Sequence, residues 1–214
     1  MNTKVKICGL STPETMQVAL DAGADFVGLV VFPPSPRNVS VAQATALADS
    51  ARGRARIVVL LVDADDALIA HVAGQVKPDF LQLHGDETPE RVREIKQRWG
   101  IPVIKALKVA TRDDARGALV YRGVADMILF DAKPPPNATR PGGHGAAFDW
   151  TILDAVKAEI GPFMLSGGLE PGNVAEAIAI SGAPMVDVSS GVEIRRGEKD
   201  PDLIRRFLQA AKGL

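Results

Sequence analysis

Short apolar runs recur along the chain and alternate with stretches whose apolar residues return at helical spacing. The runs are Val5–Cys8, Phe26–Phe32, Ile57–Val62, Phe80–Leu83, Val103–Leu107, Met127–Phe130, Phe163–Leu165 and Met185–Val188. Continuous apolar runs rich in Val and Ile suit parallel strands covered on both faces. Helices are predicted between them, over Glu14–Ala22, Val41–Ala51, Ala67–Gln75, Pro89–Trp99, Arg112–Tyr121, Thr151–Glu159, Val174–Ser181 and Leu203–Ala211. Start signals support several: Thr12-Pro13 and Thr88-Pro89 set a capping residue before a first-turn proline, and Asp149 and Asp200 can cap the sixth and last helices. Eight strands alternating strictly with eight helices predict an α/β fold, the closed (β/α)8 TIM barrel. An open doubly wound sheet is the alternative, but no Gly-x-Gly-x-x-Gly follows the first run.

One long stretch, Asp131 to Phe148, fits neither pattern and contains Pro134-Pro135-Pro136 and Pro141-Gly142-Gly143. A loop of that length is a lid or a disordered segment, and its place after the sixth strand puts it at the catalytic rim. No linker stands out, so residues 1–214 are expected to form a single catalytic domain.

Composition narrows the class. The net charge of −1 gives no electrostatic case for nucleic acid or an anionic membrane surface, so an anionic ligand would need local positive groups. Cys8 is the one cysteine; an internal disulfide is impossible, which fits a reducing compartment. The first ten residues lack a long apolar run behind a basic start, and the longest apolar run, Ile57–Val62, is far too short to span a bilayer. The expectation is a soluble cytoplasmic protein, a monomer with a homodimer as the alternative.

In such barrels chemistry sits where the strands end. The polar residues there include Cys8, Asp63, Gln82, His84, Asp131, Ser166 and Ser189, with Arg37 in the second loop. The runs Leu165-Ser166-Gly167-Gly168-Leu169 and Val188-Ser189-Ser190-Gly191-Val192 end adjacent strands. One alone would read as a tight turn; two together favour a phosphate cradle of backbone N–H groups. A lone cysteine is more often a small buried hydrophobe than a catalyst, but the rim position of Cys8 before Gly9 favours a reactive role. A nearby cation would raise its thiolate fraction. Asp131 reads as a loop-forming residue or as a carboxyl at an apolar rim, where desolvation favours the protonated, proton-donating form. Three prolines, Pro33, Pro34 and Pro36, stiffen the loop that carries Arg37, and a pre-placed guanidinium suits a carboxylate. His84 has no partners at metal-ligand spacing, which leaves a satisfied polar contact or, second, substrate contact. Strand alternation adds that Lys6 and Asp187, on neighbouring strands, pair inside the barrel one layer below the rim.

The string Lys6-Ile7-Cys8-Gly9-Leu10 resembles the opening of phosphoribosylanthranilate isomerases. The likeness continues through Phe32…Ser35-Pro36-Arg37, Leu81–Gly85, Leu129-Phe130-Asp131, Gly142–Gly145, Phe148-Asp149-Trp150, Leu165–Leu169 and Val186–Glu193. It departs at His144, where the family usually has a small hydroxyl residue. The resemblance implies an Amadori rearrangement of N-(5-phosphoribosyl)anthranilate, a small sugar-phosphate substrate, in tryptophan biosynthesis, with no cofactor and no metal. It implies Cys8 as general base and Asp131 as general acid. It also implies substrate binding by Arg37 at the anthranilate moiety, by His84, and by Gly167, Gly168, Ser190 and Gly191 at the phosphate. The aminoaldose isomerase of histidine synthesis runs the same type of rearrangement on a substrate with two phosphates. The third and fourth strands here end without a second Ser-Gly-Gly, which disfavours it. A metal-dependent pentose-phosphate epimerase would need several rim His and Asp ligands, which are missing. A catalytically silent barrel that binds a sugar phosphate is the reading from another class.

Overall fold

Each predicted apolar run forms a strand: β1 (Lys4–Cys8), β2 (Phe26–Val30), β3 (Arg56–Leu61), β4 (Phe80–Leu83), β5 (Val103–Val109), β6 (Met127–Ala132), β7 (Phe163–Leu165) and β8 (Met185–Val188). In the computed structural model these eight close into one barrel in sequence order. Every pairing is parallel, down to the closing β1–β8 pair that sets Lys6 opposite Asp187. The structure describes residues 3–133 and 148–213. The Pro134–Pro136 and Gly142–Gly145 motifs, with His144, lie outside the described residues.

Six helices follow prediction closely: α1 (Pro13–Asp21), α2 (Val41–Ala51), α3 (Asp66–Gln75), α4 (Pro89–Trp99), and, after the short α5 (Arg112–Arg116) and α6 (Lys157–Ile160), α7 (Val174–Ser181) and α8 (Pro201–Lys212). The predicted caps form: Thr12 accepts from Thr15 N–H, Thr88 from Arg91 N–H, and Asp200 from two first-turn N–H groups of α8. The other two predictions need correction. The helix expected over 112–121 tightens after Arg116 into a 3-10 turn, Gly117–Tyr121, where glycine weakens the α-helix. That expected over 151–159 is a 3-10 turn, Trp150–Ala155, capped by Asp149, before α6. It buries Ile152 and Leu153. Unforeseen is a hairpin, β9 (Glu193–Arg195) and β10 (Glu198–Lys199), after β8. It is too short and too charged to carry an alternation signal.

Alternation along the strands explains how apolar runs bring polar groups to the rim. One parity faces outward; Val5, Ile7, Val27, Leu29, Val59, Leu61, Phe130 and Val186 belong to the large core shared with the helices. The other parity fills the barrel. Its floor is Phe26, Val58, Ile104, Leu129, Met164 and Met185. Climbing each strand by twos leads from Met127 and Leu129 to Asp131, from Met185 to Asp187 and Ser189, and from Phe80 to Gln82 and His84. The barrel is thus apolar in its floor cluster, and its polar groups gather toward the C-terminal end, with Lys6 and Asp187 one layer below the rim.

Candidate active site

A cavity opens at that end. Its lining includes Cys8, Arg37, His84, Asp131, Gly167, Gly168 and Ser190, which brings together seven of the eight residues predicted from sequence. Gly191 is not in the lining. It lies where the loop after β8 presses on the loop after β7, and a Cβ there would stand 1.9 Å from the Leu169 carbonyl oxygen. Glycine is required at that point for close approach between the two loops.

Cys8 ends β1 and is buried. Below it, Lys6 Nζ donates to Asp187 Oδ1 at 2.9 Å, the predicted pair, and Ser166 Oγ donates to the second Asp187 oxygen at 3.3 Å. Burial pushes the Cys8 thiol above its ordinary value; Lys6 and Lys199 pull it down, and Asp187 pushes it up. The expected nearby cation is therefore present, but desolvation outweighs it, and the thiol is the dominant resting form. Burial also works against the charge on Lys6, yet Asp187 and the sulfur hold its ammonium above the ordinary lysine range.

Asp131 stands near the end of β6, facing inward from the strand that pairs with β7. Its Oδ1 accepts from Ala132 N–H at 3.0 Å, and its Oδ2 lies 3.2 Å from His84 Nε2. The other His84 nitrogen, Nδ1, is 3.0 Å from the Gln82 amide nitrogen. Two proton arrangements satisfy this chain. Gln82 can donate to Nδ1 while Nε2–H donates to a carboxylate. With the amide turned over, Nδ1–H donates to Gln82 and a protonated Asp131 donates to Nε2. His84 can serve both protonation states of Asp131. Gln82 is fully buried and its Oε1 has no partner among the described residues, so its orientation is free to follow the histidine.

Arg37 is fixed more firmly than its prolines alone would require. Nε and Nη2 donate to the two oxygens of Glu193 at 2.7 and 2.8 Å, and the side chain is 8% exposed. Its stem crosses Gly9, which has φ of +78° and where a Cβ would be 2.6 Å from Arg37 Cδ. The glycine after the cysteine therefore serves the arginine from another loop. Lys199 Nζ donates to Glu193 Oε1 at 2.7 Å, to Ser189 O at 2.9 Å and to Ser189 Oγ at 3.1 Å, and Ser189 Oγ donates to Cys8 O at 3.1 Å. Burial lowers the Lys199 pKa to about 8, with Glu193 opposing. Sequence reasoning assigned no role to Glu193 or Lys199. Glu193 closes the Val186–Glu193 motif, but its partners come from other loops and from a hairpin without a sequence signal. Arg196, on that hairpin, also lines the cavity.

Outside the barrel, buried Lys105 donates to Glu87 Oε2 and to Gly85 O, both at 2.7 Å. Glu87 Oε1 in turn accepts from Asp63 N–H at 2.9 Å and Gly85 N–H at 3.2 Å. This network ties together the loops after β3 and β4 beside His84. Among the described residues, no group of three or more His, Cys, Asp or Glu is placed to hold a metal ion, and no helix is long and apolar enough to cross a membrane.

Fold and rim define a (β/α)8 barrel whose cavity gathers a thiol, a carboxyl, a guanidinium and two glycine-rich loops, a set able to hold an anionic ligand and exchange protons with it. Residues 5–210 match the family model for N-(5'-phosphoribosyl)anthranilate (PRA) isomerase, and the chain belongs to that family. It is 56% identical over 212 residues to the N-(5'-phosphoribosyl)anthranilate isomerase of Rhodopseudomonas palustris strain ATCC BAA-98 / CGA009, covering 99% of each chain. It is 55% identical to that of Bradyrhizobium sp. strain ORS 278, covering 99% of this chain and 96% of the relative. Among solved structures, phosphoribosyl anthranilate isomerase from Thermotoga maritima superposes with a TM-score of 0.90 at 39% identity, covering 99% of this chain and 100% of that one. A phosphoribosyl anthranilate isomerase in complex with reduced 1-(o-carboxyphenylamino)-1-deoxyribulose 5-phosphate does so with 0.87 at 36%, with the same coverage.

Proposed function

We propose that this protein converts N-(5'-phosphoribosyl)anthranilate into 1-(2-carboxyphenylamino)-1-deoxyribulose 5-phosphate, the Amadori step of tryptophan biosynthesis. The observation that carries this reading is the shared cavity: Cys8 and Asp131 line it together, with Gly167, Gly168 and Ser190 along one side and Arg37 on another. Asp131 gives its proton to the furanose ring oxygen, which opens the ring to a C1 iminium. The Cys8 thiolate then takes the C2 proton, leaving an enolamine. C1 gains a proton and the C2 hydroxyl loses one as the ketone forms, so electrons move only within the substrate. The backbone N–H groups of the two glycine-rich loops hold the phosphate, and Gly191 lets those loops pack against each other. Arg37 takes the aryl carboxylate, and His84 carries Asp131 between its two protonation states. The acid and the base each contribute about 10²–10⁴-fold.

The same reading treats residues 1–214 as one catalytic domain acting on a free small molecule in the cytoplasm. It keeps the monomer, because Val120, Ile180 and Ile194, the large exposed apolar side chains among the described residues, sit on separate elements. A Thermotoga maritima relative is described as dimeric, and sedimentation of this chain decides between the two states. Function is tested by complementation of a tryptophan auxotroph lacking this isomerisation. Growth is expected; continued auxotrophy with well-expressed protein would favour a barrel that binds a sugar phosphate without turning it over.

A further inference from the structure

We propose that Glu193 is a positioning residue that aims Arg37 at the carboxylate of the substrate's aryl ring, so that the β9–β10 hairpin is part of the specificity site. The inference rests on the Arg37 role proposed above. A guanidinium offers five N–H donors, and Glu193 takes one edge of the fork, Nε and Nη2, through both of its oxygens. The edge left for a ligand is the Nη1 side, so Glu193 determines which face of Arg37 the cavity sees.

Glu193 is itself held from two directions. Lys199 Nζ reaches Oε1 at 2.7 Å, and Gly197 N–H donates to Oε2 at 3.1 Å. The side chains of Glu193 and Lys199 are 3% and 1% exposed. Burial works against the charge on Glu193, but Arg37 and Lys199 keep its carboxyl below the usual range. A single buried anion thus fixes two cations, and Lys199 also reaches the Cys8 carbonyl through Ser189. An arginine left free in this loop would spread over many rotamers and lose its aim; the fork removes that freedom before ligand arrives.

The test compares two inhibitors, the reduced product analogue with its 2-carboxyphenyl group and the same molecule with a plain phenyl group, on wild type and Glu193→Gln. Glutamine presents one acceptor where the fork needs two. Wild type is expected to prefer the carboxylated analogue by about tenfold or more, the scale of a charge-assisted hydrogen bond. In Glu193→Gln that preference should fall toward unity while competitive inhibition by inorganic phosphate is unchanged. A variant that loses thermal stability or kcat but keeps the full preference would overturn the proposal and leave Glu193 a structural residue. If wild type itself shows no preference, the carboxylate role of Arg37 fails, and this inference with it. Should Glu193→Gln not fold, Glu193→Asp serves: it keeps the charge beside Lys199, withdraws the fork by one methylene, and must show the same selective loss.

Discussion

Two buried lysine–carboxylate pairs share their chemistry and differ in their place. Lys6–Asp187 lies inside the barrel, beneath Cys8, and Asp187 lines the cavity. Lys105–Glu87 lies outside the barrel wall, sealed between the strands and Tyr121, whose hydroxyl donates to Glu87 O at 2.8 Å. The outer pair is saturated with backbone partners and holds two loops in shape. The inner pair is fewer in partners and acts electrostatically on the thiol above it. Buried charge adds little net stability by itself, so what each pair contributes depends on what its remaining valences touch.

The largest effect is expected at the group that the inner pair touches. Cys8→Ser should lower kcat by about 10²–10⁴-fold with modest loss of product-analogue affinity, and Asp131→Asn should do likewise. Single-turnover kinetics with a binding titration check both; near-normal kcat in either variant would remove that residue from the proton transfers. The outer pair should break differently. Lys105→Met leaves Glu87 charged and buried, at a cost of about 3–5 kcal/mol in unfolding free energy. Denaturant melts should show that loss, while the folded fraction keeps turning over. A variant with unchanged stability would mean that Glu87 finds another partner.

The same contrast marks what was legible in the sequence. The barrel could be read because eight apolar runs are two-sided and helices intervene. The Lys6–Asp187 pair could be read because parity and closure of the barrel place both residues on facing positions. The Lys105–Glu87 pair could not: Lys105 sits in an apolar strand on the outward parity, and its partner is a loop residue before α4. Glu193 escaped for a related reason, since its partners, Arg37 and Lys199, are distant in sequence or lie on a hairpin that lacks periodicity. Strand-borne site residues announce themselves by position, whereas those that clamp loops together depend on contacts between segments that no local pattern links.

The pH dependence of the sulfur sharpens the comparison further. Burial holds the Cys8 thiol above its ordinary value, so the thiolate is the minor form near neutral pH and its fraction climbs through the thiol pKa. The rate at which iodoacetamide alkylates Cys8 should therefore rise from about pH 7 to about pH 9, up to tenfold per pH unit below the thiol pKa, because only the thiolate attacks. A flat alkylation profile across that range would count against a sulfur held as the thiol. Lys105→Met should leave the position of this rise where it is, because no contribution from the outer pair reaches the sulfur.

The smallest and most discriminating shift concerns the inner pair alone. Lys6 lowers the thiol pKa and Asp187 raises it, with Lys6 the stronger influence. Lys6→Met removes the favourable partner and leaves the unfavourable one, so the rise should move to higher pH than in wild type. Removing both charges, in Lys6→Met with Asp187→Leu, leaves burial in command, and the rise should fall between the other two. The double variant should also recover stability that the single one loses, since an unpaired buried carboxylate is worse than none. This order, wild type lowest, double variant next and Lys6→Met highest, follows from opposite charges acting on one sulfur. If both variants shifted equally, the pair would be a brace like its outer counterpart rather than a control on the base.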